Sequence, residues 1–135
     1  MTLWTDSLII GDVKIDHQHR KLVEAIDKFI DACKLGKGRN TIAETLNFIV
    51  VYTIKHFNDE EELQIKYAFP HYGEHKLLHT QFLTTVRNLQ QEFDKEGPTA
   101  ALTSKINKTL VDWLIKHVNN EDKQIGEHLK KARKS

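Results

Sequence analysis

The chain of 135 residues is 39% hydrophobic and 29% charged, a balance that predicts one globular domain over residues 1–135 rather than a disordered or fibrous chain. Its 20 basic and 19 acidic residues are spread along the sequence and leave a net charge of +1, which gives no support for nucleic-acid binding because that needs a concentrated basic face. No stretch approaches the roughly 18 consecutive apolar residues of a membrane span. We expect the protein to be a monomer or a weak oligomer.

Two features of the sequence favour a cytoplasmic location. Cys33 is the one cysteine, so no disulfide can form within the chain, as expected in a reducing compartment. The N-terminal segment MTLWTDSLIIGDVKID lacks the basic start and the small-residue cleavage site of a signal peptide. Cys33 itself lies near the end of a predicted helix, where we interpret it as a passive small side chain.

The chain begins with a predicted irregular arm over residues 1–16, whose Trp4, Leu8 and Ile9 are expected to pack on the rest of the fold. Four long amphipathic helices and a short C-terminal helix then follow. Their predicted ranges are about 17–35, 41–66, 71–94 and 99–118 for the long helices and about 121–131 for the short one.

Glycine and proline mark the breaks between these helices. The segment GKG at 36–38 ends the first helix, and Asn40 or Thr41 is expected to cap the second. The second helix must end before Pro70, and the third ends at Gly97-Pro98. Short loops between long helices favour antiparallel neighbours, so the predicted fold is all-α: an antiparallel up-down-up-down four-helix bundle over residues 17–131.

Eight histidines are many for a chain of this length, and the helical period predicts where several of them face. A helix advances about 100° per residue, so positions i, i+3, i+4 and i+7 share a face. His19 shares its face with apolar residues and should face the core, whereas His17 shares its face with charged residues and should face solvent; we also expect His128 to be exposed. The same test predicts that further side chains face inward on the other three helices. They are His56 and Glu60, His75 and His79, and His117.

A single inward histidine is most often a hydrogen-bonded core residue. Several buried imidazoles and a carboxylate without partners would cost a few kcal/mol each, against a net stability of only about 5–15 kcal/mol for a domain. Coordination to a metal removes this cost, since imidazole nitrogens and carboxylate oxygens become ligands. Because all four helices contribute inward side chains, the pattern predicts a buried metal site.

The number of candidate ligands indicates two metal ions. Asp122 follows His117 by five residues, about 140° away on a continuous α-helix, and reaches the site only if the chain bends near Asn119-Asn120. With Asp122 the predicted ligands number seven, too many for one tetrahedral zinc. They are His19, His56, Glu60, His75, His79, His117 and Asp122. Nitrogen and oxygen donors without thiolate favour iron or manganese.

Several other polar residues are interpreted as lying outside the ligand set. His71 is in phase with His75 but follows Pro70 at a helix start, so we do not expect it to bind metal. Glu61 and Glu62 are predicted to be a surface run, with the alternative that one of them supports a ligand. No Glu is followed three positions later by His, which separates this chain from the ferritin-like di-iron pattern.

The candidate ligands lie in short motifs whose order and separation resemble those of the hemerythrin family, specifically its single-domain bacterial members. These motifs are IDHQHRKL, HFNDEE, YAFP, HYGEHKLLH and WLIKHVNNED, and together with Trp4 they are spread over nearly the whole chain. Each is weak alone, since H-x-x-x-E and H-x-x-x-H recur by chance on helices. All of them in order make a specific signature.

The resemblance implies a cofactor of two iron ions that cycles between Fe2+ and Fe3+. One iron would be held by His75, His79 and His117, and the other by His19 and His56. Glu60 and Asp122 would bridge the pair, together with an oxo or hydroxo group, and dioxygen would bind at the second iron. Trp113 and Leu114 match family positions that pack over the oxygen pocket.

The function that this resemblance implies is reversible dioxygen binding for carriage, storage or delivery, and not an enzymatic one. Three alternatives remain open at this point. The same site could sense oxygen, nitric oxide or redox state, or it could reduce peroxide or nitric oxide. The chain could also be a metal-free helical interaction module.

Overall fold

The computed structural model of the protein describes residues 4–134, which form five helices and no strand. The helices are α1 (Val13–Lys34), α2 (Arg39–Lys66), α3 (Tyr72–Glu96), α4 (Ala100–His117) and α5 (Lys123–Lys134). A 3-10 turn at Asp6–Leu8 precedes them, and a π turn at Val118–Asp122 joins α4 to α5. None of the helices described here is both long and apolar enough to cross a membrane.

The four long helices pack in a closed square, as the loop lengths predict. Helix α2 packs against α1 and α3, and α4 packs against α3 and α1. The connections at 35–38, 67–71 and 97–99 are short, so successive helices run in opposite directions. The prediction of an all-α, up-down-up-down four-helix bundle is confirmed.

The apolar core fills one end of the bundle. Phe29, Leu46 and Ile106 are fully buried there, and Phe93 retains only 1% of its surface. These residues come from the second half of α1, the first half of α2, the second half of α3 and the first half of α4. In an antiparallel bundle those segments meet at one end. Burial of each such side chain contributes about 1.5–3 kcal/mol, so this end supplies much of the stability of the fold.

The arm is shorter than predicted, because α1 begins at Val13 and not near residue 17. Asp12 caps the helix by accepting a hydrogen bond from the backbone N–H of Ile15 at 3.0 Å. Leu8 is buried as expected and Trp4 packs against the core, but Ile9 is 47% exposed. The backbone is extended at Ile9, so its neighbour Ile10 turns to the bundle in its place.

Two further boundaries differ from the predictions. Helix α2 begins at Arg39 with Gly38 as its N-cap, so neither Asn40 nor Thr41 has the predicted capping role. Helix α3 continues to Glu96 and ends at Gly97, whose φ of 76° is the left-handed conformation that suits glycine.

The link between α4 and α5 is where the backbone departs from regular α-helix. Residues Val118–Asp122 form a π turn, so the bend expected at Asn119-Asn120 takes the form of a widened helical turn. A π turn closes i to i+5 hydrogen bonds, which lets Asp122 face the same direction as His117 although it lies five residues later. The short C-terminal helix consequently starts at Lys123 rather than near residue 121.

Candidate metal centre

The end of the bundle opposite the apolar core holds a cluster of seven buried polar side chains. Its members are the seven residues that the sequence analysis selected, and each is at most 4% exposed: His19, His56, Glu60, His75, His79, His117 and Asp122. They come from the first half of α1, the second half of α2, the first half of α3, and the end of α4 with its π turn. The antiparallel order of the helices brings these four segments together.

The cluster divides into two groups, each with ligand atoms within 4.8 Å of one another. The three-histidine group consists of His75, His79 and His117 with the two carboxylates, and the two-histidine group consists of His19 and His56 with the same carboxylates. Glu60 and Asp122 therefore belong to both groups. This is the arrangement that two adjacent metal ions with shared carboxylates require.

Each carboxylate directs one oxygen toward each group. Oε1 of Glu60 lies 3.0 Å from His75 Nε2, and its Oε2 lies 3.2 Å from His56 Nε2. Oδ1 of Asp122 lies 3.0 Å from His117 Nε2, and its Oδ2 lies 2.9 Å from His19 Nε2. The two acids thus have the orientation of bridging ligands.

The spacing of the imidazole nitrogens in the three-histidine group fits a single metal ion. Nε2 of His117 lies 2.7 Å from Nε2 of His75 and 3.2 Å from Nε2 of His79. Two ligands at right angles, each about 2.1 Å from a first-row metal, are about 3.0 Å apart. The three nitrogens are therefore placed as neighbouring ligands of one ion.

Several of these atoms have no hydrogen-bond partner among the described residues, although all are buried. They are both ring nitrogens of His19, both carboxylate oxygens of Glu60 and both carboxylate oxygens of Asp122. Leaving such groups buried and unsatisfied costs roughly 1–3 kcal/mol each, and more when they are charged. A cation at the centre would satisfy all the oxygens, so the donor set fits a pair of metal ions.

The ionisable groups of the cluster influence one another strongly. Burial alone would lower the pKa of His19, but contacts with Asp122 and Glu60 outweigh it and raise that pKa to about 10. The same balance raises the pKa of His75 to about 9, whereas burial prevails at His56 and lowers its pKa. Burial would also raise the pKa of Glu60, yet contacts with four histidines hold that pKa well below its usual value. The centre therefore favours positive charge, whether carried by protons or by metal ions.

Hydrogen bonds on the outer side of the rings set the orientation of two histidines. Nδ1 of His56 donates to Oε1 of Gln18 at 2.8 Å, and Nδ1 of His79 donates to Oε2 of Glu61 at 3.0 Å. With its proton on Nδ1, each ring presents the lone pair of Nε2 to the centre, which is the form that binds a metal.

The chain matches the family model "Hemerythrin HHE cation binding domain" over residues 11–129. The chain belongs to the hemerythrin family. It is 32% identical to a bacteriohemerythrin of Pseudomonas aeruginosa over 120 residues, which cover 89% of this chain and 76% of that protein. It is 26% identical to a hemerythrin of Sipunculus nudus, with 89% of this chain and 87% of that protein covered.

Solved structures of hemerythrin have the same fold. The wild-type crystal structure superposes with a TM-score of 0.85 at 24% identity, and the match covers 96% of this chain and 98% of that chain. The family match over residues 11–129 confirms the resemblance to the hemerythrin family that the sequence motifs indicate.

The family resemblance predicts that two side chains of α4, Trp113 and Leu114, pack over an oxygen pocket. Leu114 is buried, and Trp113 is partly buried and stacks on the ring of His117 at a centroid distance of 4.3 Å. Both line a small interior cavity of about 10 Å³, whose other walls are apolar except for Thr53. The remaining lining residues are Leu22, Ile26, Ile49, Phe82 and Leu110.

The histidines predicted to lie outside the cluster do so, although one environment was predicted wrongly. His17 is exposed, and His71 is 54% exposed beside Glu74. His128 was expected to face solvent but is half-buried, because its Nε2 donates to the backbone carbonyl of Tyr67 at 2.7 Å. Its ring also packs edge-on against Phe69.

Sequence reasoning missed most of the residues that surround the cluster. Gln64 lies 3.2 Å from Nδ1 of His75 and could have been found, because it follows Glu60 by four residues on the same face. Glu121 follows His117 by four residues in the same way. Gln18 and Glu61 each neighbour a candidate ligand in sequence, and the helical period alone places neither at the site.

Proposed function

We propose that this protein binds two iron ions at the seven-residue cluster and there binds dioxygen reversibly. The observation that supports this most strongly is the pair of carboxylates, Glu60 and Asp122, shared between a three-histidine and a two-histidine group. Nitrogen and oxygen donors suit iron and manganese alike. Membership of the hemerythrin family favours iron.

The difference between the two groups suggests where dioxygen would bind. When bound, a pair of ferrous ions supplies the two electrons that reversible dioxygen binding requires. Because the two-histidine group offers one imidazole fewer, it leaves a coordination position for an external ligand. Leu114 and Trp113 would help to exclude water from the centre, since both line a nearly apolar cavity and Trp113 stacks on His117.

The surroundings of the cluster favour binding over catalysis. Within the part of the chain that the structure describes, Asp12 is the only buried ionisable side chain outside the seven. It pairs with Arg133 at 2.9 Å and caps α1, so it belongs to the arm and not to the site. Reduction of peroxide or nitric oxide needs a source of protons. Glu61 and Glu121 contact His79 and His117 from the outer side of the rings, so neither acid is placed to donate a proton at the centre.

The test is an oxygen titration of the iron-loaded protein after anaerobic reduction, followed by its absorption spectrum. We expect a spectrum that changes on oxygenation and returns on removal of oxygen over repeated cycles, without rapid conversion to the ferric form. Steady consumption of peroxide or nitric oxide would favour the reductase function instead. A protein that contains no iron would contradict the carrier, sensor and reductase functions together.

The location and the oligomeric state stay predictions. We propose a cytoplasmic location on the basis of the single cysteine, and a monomer or weak oligomer.

A further inference from the structure

The two groups of the cluster differ in more than the number of imidazoles. Each group shares Glu60 and Asp122, so the carboxylates contribute to both ions. What distinguishes the groups is the set of residues behind the histidines, on the side of each ring that faces away from the centre. Such outer partners orient metal-binding imidazoles and change their basicity.

Carboxylates lie behind two rings of the three-histidine group. Oε2 of Glu61 accepts a hydrogen bond from Nδ1 of His79 at 3.0 Å, and the Glu61 side chain is only 15% exposed. Oε2 of Glu121 lies 3.7 Å from Nδ1 of His117, an ion-pair distance that is too long for a hydrogen bond. A negative partner at Nδ1 increases electron density on the ring, so Nε2 becomes a stronger donor to a cation.

Behind the two-histidine group the partners are weaker. His56 donates to the neutral amide of Gln18, and Nδ1 of His19 has no hydrogen-bond partner within residues 4–134. The amide nitrogen of Gln18 in turn donates to Asp59 at 2.6 Å, and that carboxylate lies 3.7 Å from the ammonium of Lys14. The negative charge of Asp59 therefore acts on His56 only through Gln18, and the positive charge of Lys14 balances it.

Aromatic packing adds to this difference. The ring of Phe57 stacks on His79 at 3.7 Å with an interplanar angle of 2°, and Trp113 stacks on His117 at 4.3 Å and 13°. His19 and His56 contact each other edge to face at 4.6 Å, and the Phe57 ring lies tilted at 6.0 Å from His56 rather than stacked on it. Rings held between an aromatic face and a carboxylate lose little freedom when they bind a metal.

We propose that the two groups bind their metal ions with different affinity. The three-histidine group, which Glu61 supports, retains its ion longer. The two-histidine group, which Gln18 supports, releases its ion first. This inference rests on the proposed function for the presence of two ions. It makes Glu61 and Gln18 positioning residues, each specific for one half of the site. A one-iron form of the protein is therefore an intermediate of iron loss.

The experiment follows iron removal from the loaded, reduced protein by excess chelator, with native mass spectrometry to count ions per chain. In the unaltered protein we expect two kinetic phases and accumulation of the one-iron species. Glu61→Gln keeps a hydrogen-bond acceptor for His79 and removes the charge, so it should accelerate the second phase about 10-fold or more and leave the first unchanged. Gln18→Leu should accelerate only the first phase.

Glu62→Gln is the matched control, because Glu62 is the exposed neighbour of Glu61 on α2 and should alter neither phase. Circular dichroism verifies that each variant folds, and the Gln18 variant tests the proposal independently of the Glu61 variant. Loss of both ions in one step from the unaltered protein, or equal acceleration of both phases by Glu61→Gln, would overturn the proposal. A protein that never contains iron would instead contradict the proposed function.

Discussion

Substitution of Gly126 by alanine tests how the N-terminal arm supports the candidate metal centre. Gly126 lies on α5, one turn after Asp122, and a Cβ at this position would be 2.0 Å from the backbone oxygen of Ile10. Real Cβ atoms essentially never approach another heavy atom closer than 3.0 Å, so the arm must move by about 1 Å or more. The 3-10 turn of the arm also contacts the π turn that contains Asp122.

The expected change in the free energy of unfolding is the sum of three contributions. Displacing the arm breaks the hydrogen bonds that the N–H groups of Ile10 and Gly11 donate to Asp16, each contributing about 1 kcal/mol. It also partly exposes Leu8, whose full burial contributes about 1.5–3 kcal/mol. Alanine gains about 1 kcal/mol over glycine in a helix. The net expectation is a loss of about 1–3 kcal/mol in the free energy of unfolding.

Urea denaturation of the iron-free proteins measures this loss directly. Gly73→Ala is the control, because a Cβ at Gly73 would have no heavy atom within 4 Å and the substitution should stabilise α3 by up to about 1 kcal/mol. We also expect faster iron loss from the Gly126 variant, since the displaced arm no longer packs normally against the π turn that carries Asp122. If Gly126→Ala is as stable as the Gly73 variant, the arm does not support α5 in the way described.

Three further predictions concern the proposed ligands and the pocket. His117→Ala should lower the iron content below two ions per chain, whereas His17→Ala should leave it unchanged; equal losses, measured by elemental analysis, would contradict the assignment of faces. Leu114→Ala should shorten the lifetime of the oxygenated protein, because it enlarges a cavity of about 10 Å³ one turn from His117, where the polar groups of the cluster offer an entering water hydrogen-bond partners. A decay rate that equals that of the unaltered protein would exclude Leu114 from the pocket. In the iron-free protein the pKa values of His19 and His75 are about 10 and about 9, so both rings are protonated at pH 7. Metal binding should therefore release about two protons per chain, and the affinity for the metal should rise as the pH rises toward 9–10. Calorimetry in buffers of different ionisation enthalpy counts these protons, and a heat that does not depend on the buffer would refute the prediction.

Much of the fold could be predicted because the inward and outward faces of the helices differ clearly in polarity. The stripe that runs from His19 through Leu22, Val23 and Ile26 is buried in the structure, and His17 on the opposite side is exposed. The same rule selected residues on the other helices, and the structure brings them together. Their role as iron ligands stays a prediction.

Asp122 shows the limit of that rule. The regular helical period places it far from His117, and only the π turn brings the two side chains within 3.0 Å. No residue type in the segment VNNED requires a π turn. The turn contacts the N-terminal arm, which is distant in sequence, and a reading of the local sequence does not include such a contact.

Among the residues that support the cluster from outside, Glu61 was predicted to belong to a surface run, and a role behind a ligand was only the alternative. Glu61 lies within the acidic run DEEE and has the composition of a solvated helix face. Its hydrogen bond to His79 depends on the packing of α2 against α3. The start of α1 is different, because Asp12 is a good N-cap residue and the sequence therefore carries a signal for a helix that begins at Val13.

The most direct test of the central claim is diffraction from crystals of the iron-loaded protein at the iron absorption edge. We predict two anomalous peaks per chain, both within bonding distance of Glu60 and Asp122. One peak should contact Nε2 of the three-histidine group and the other should contact the two-histidine group. A single peak, or peaks that share neither carboxylate, would contradict the account.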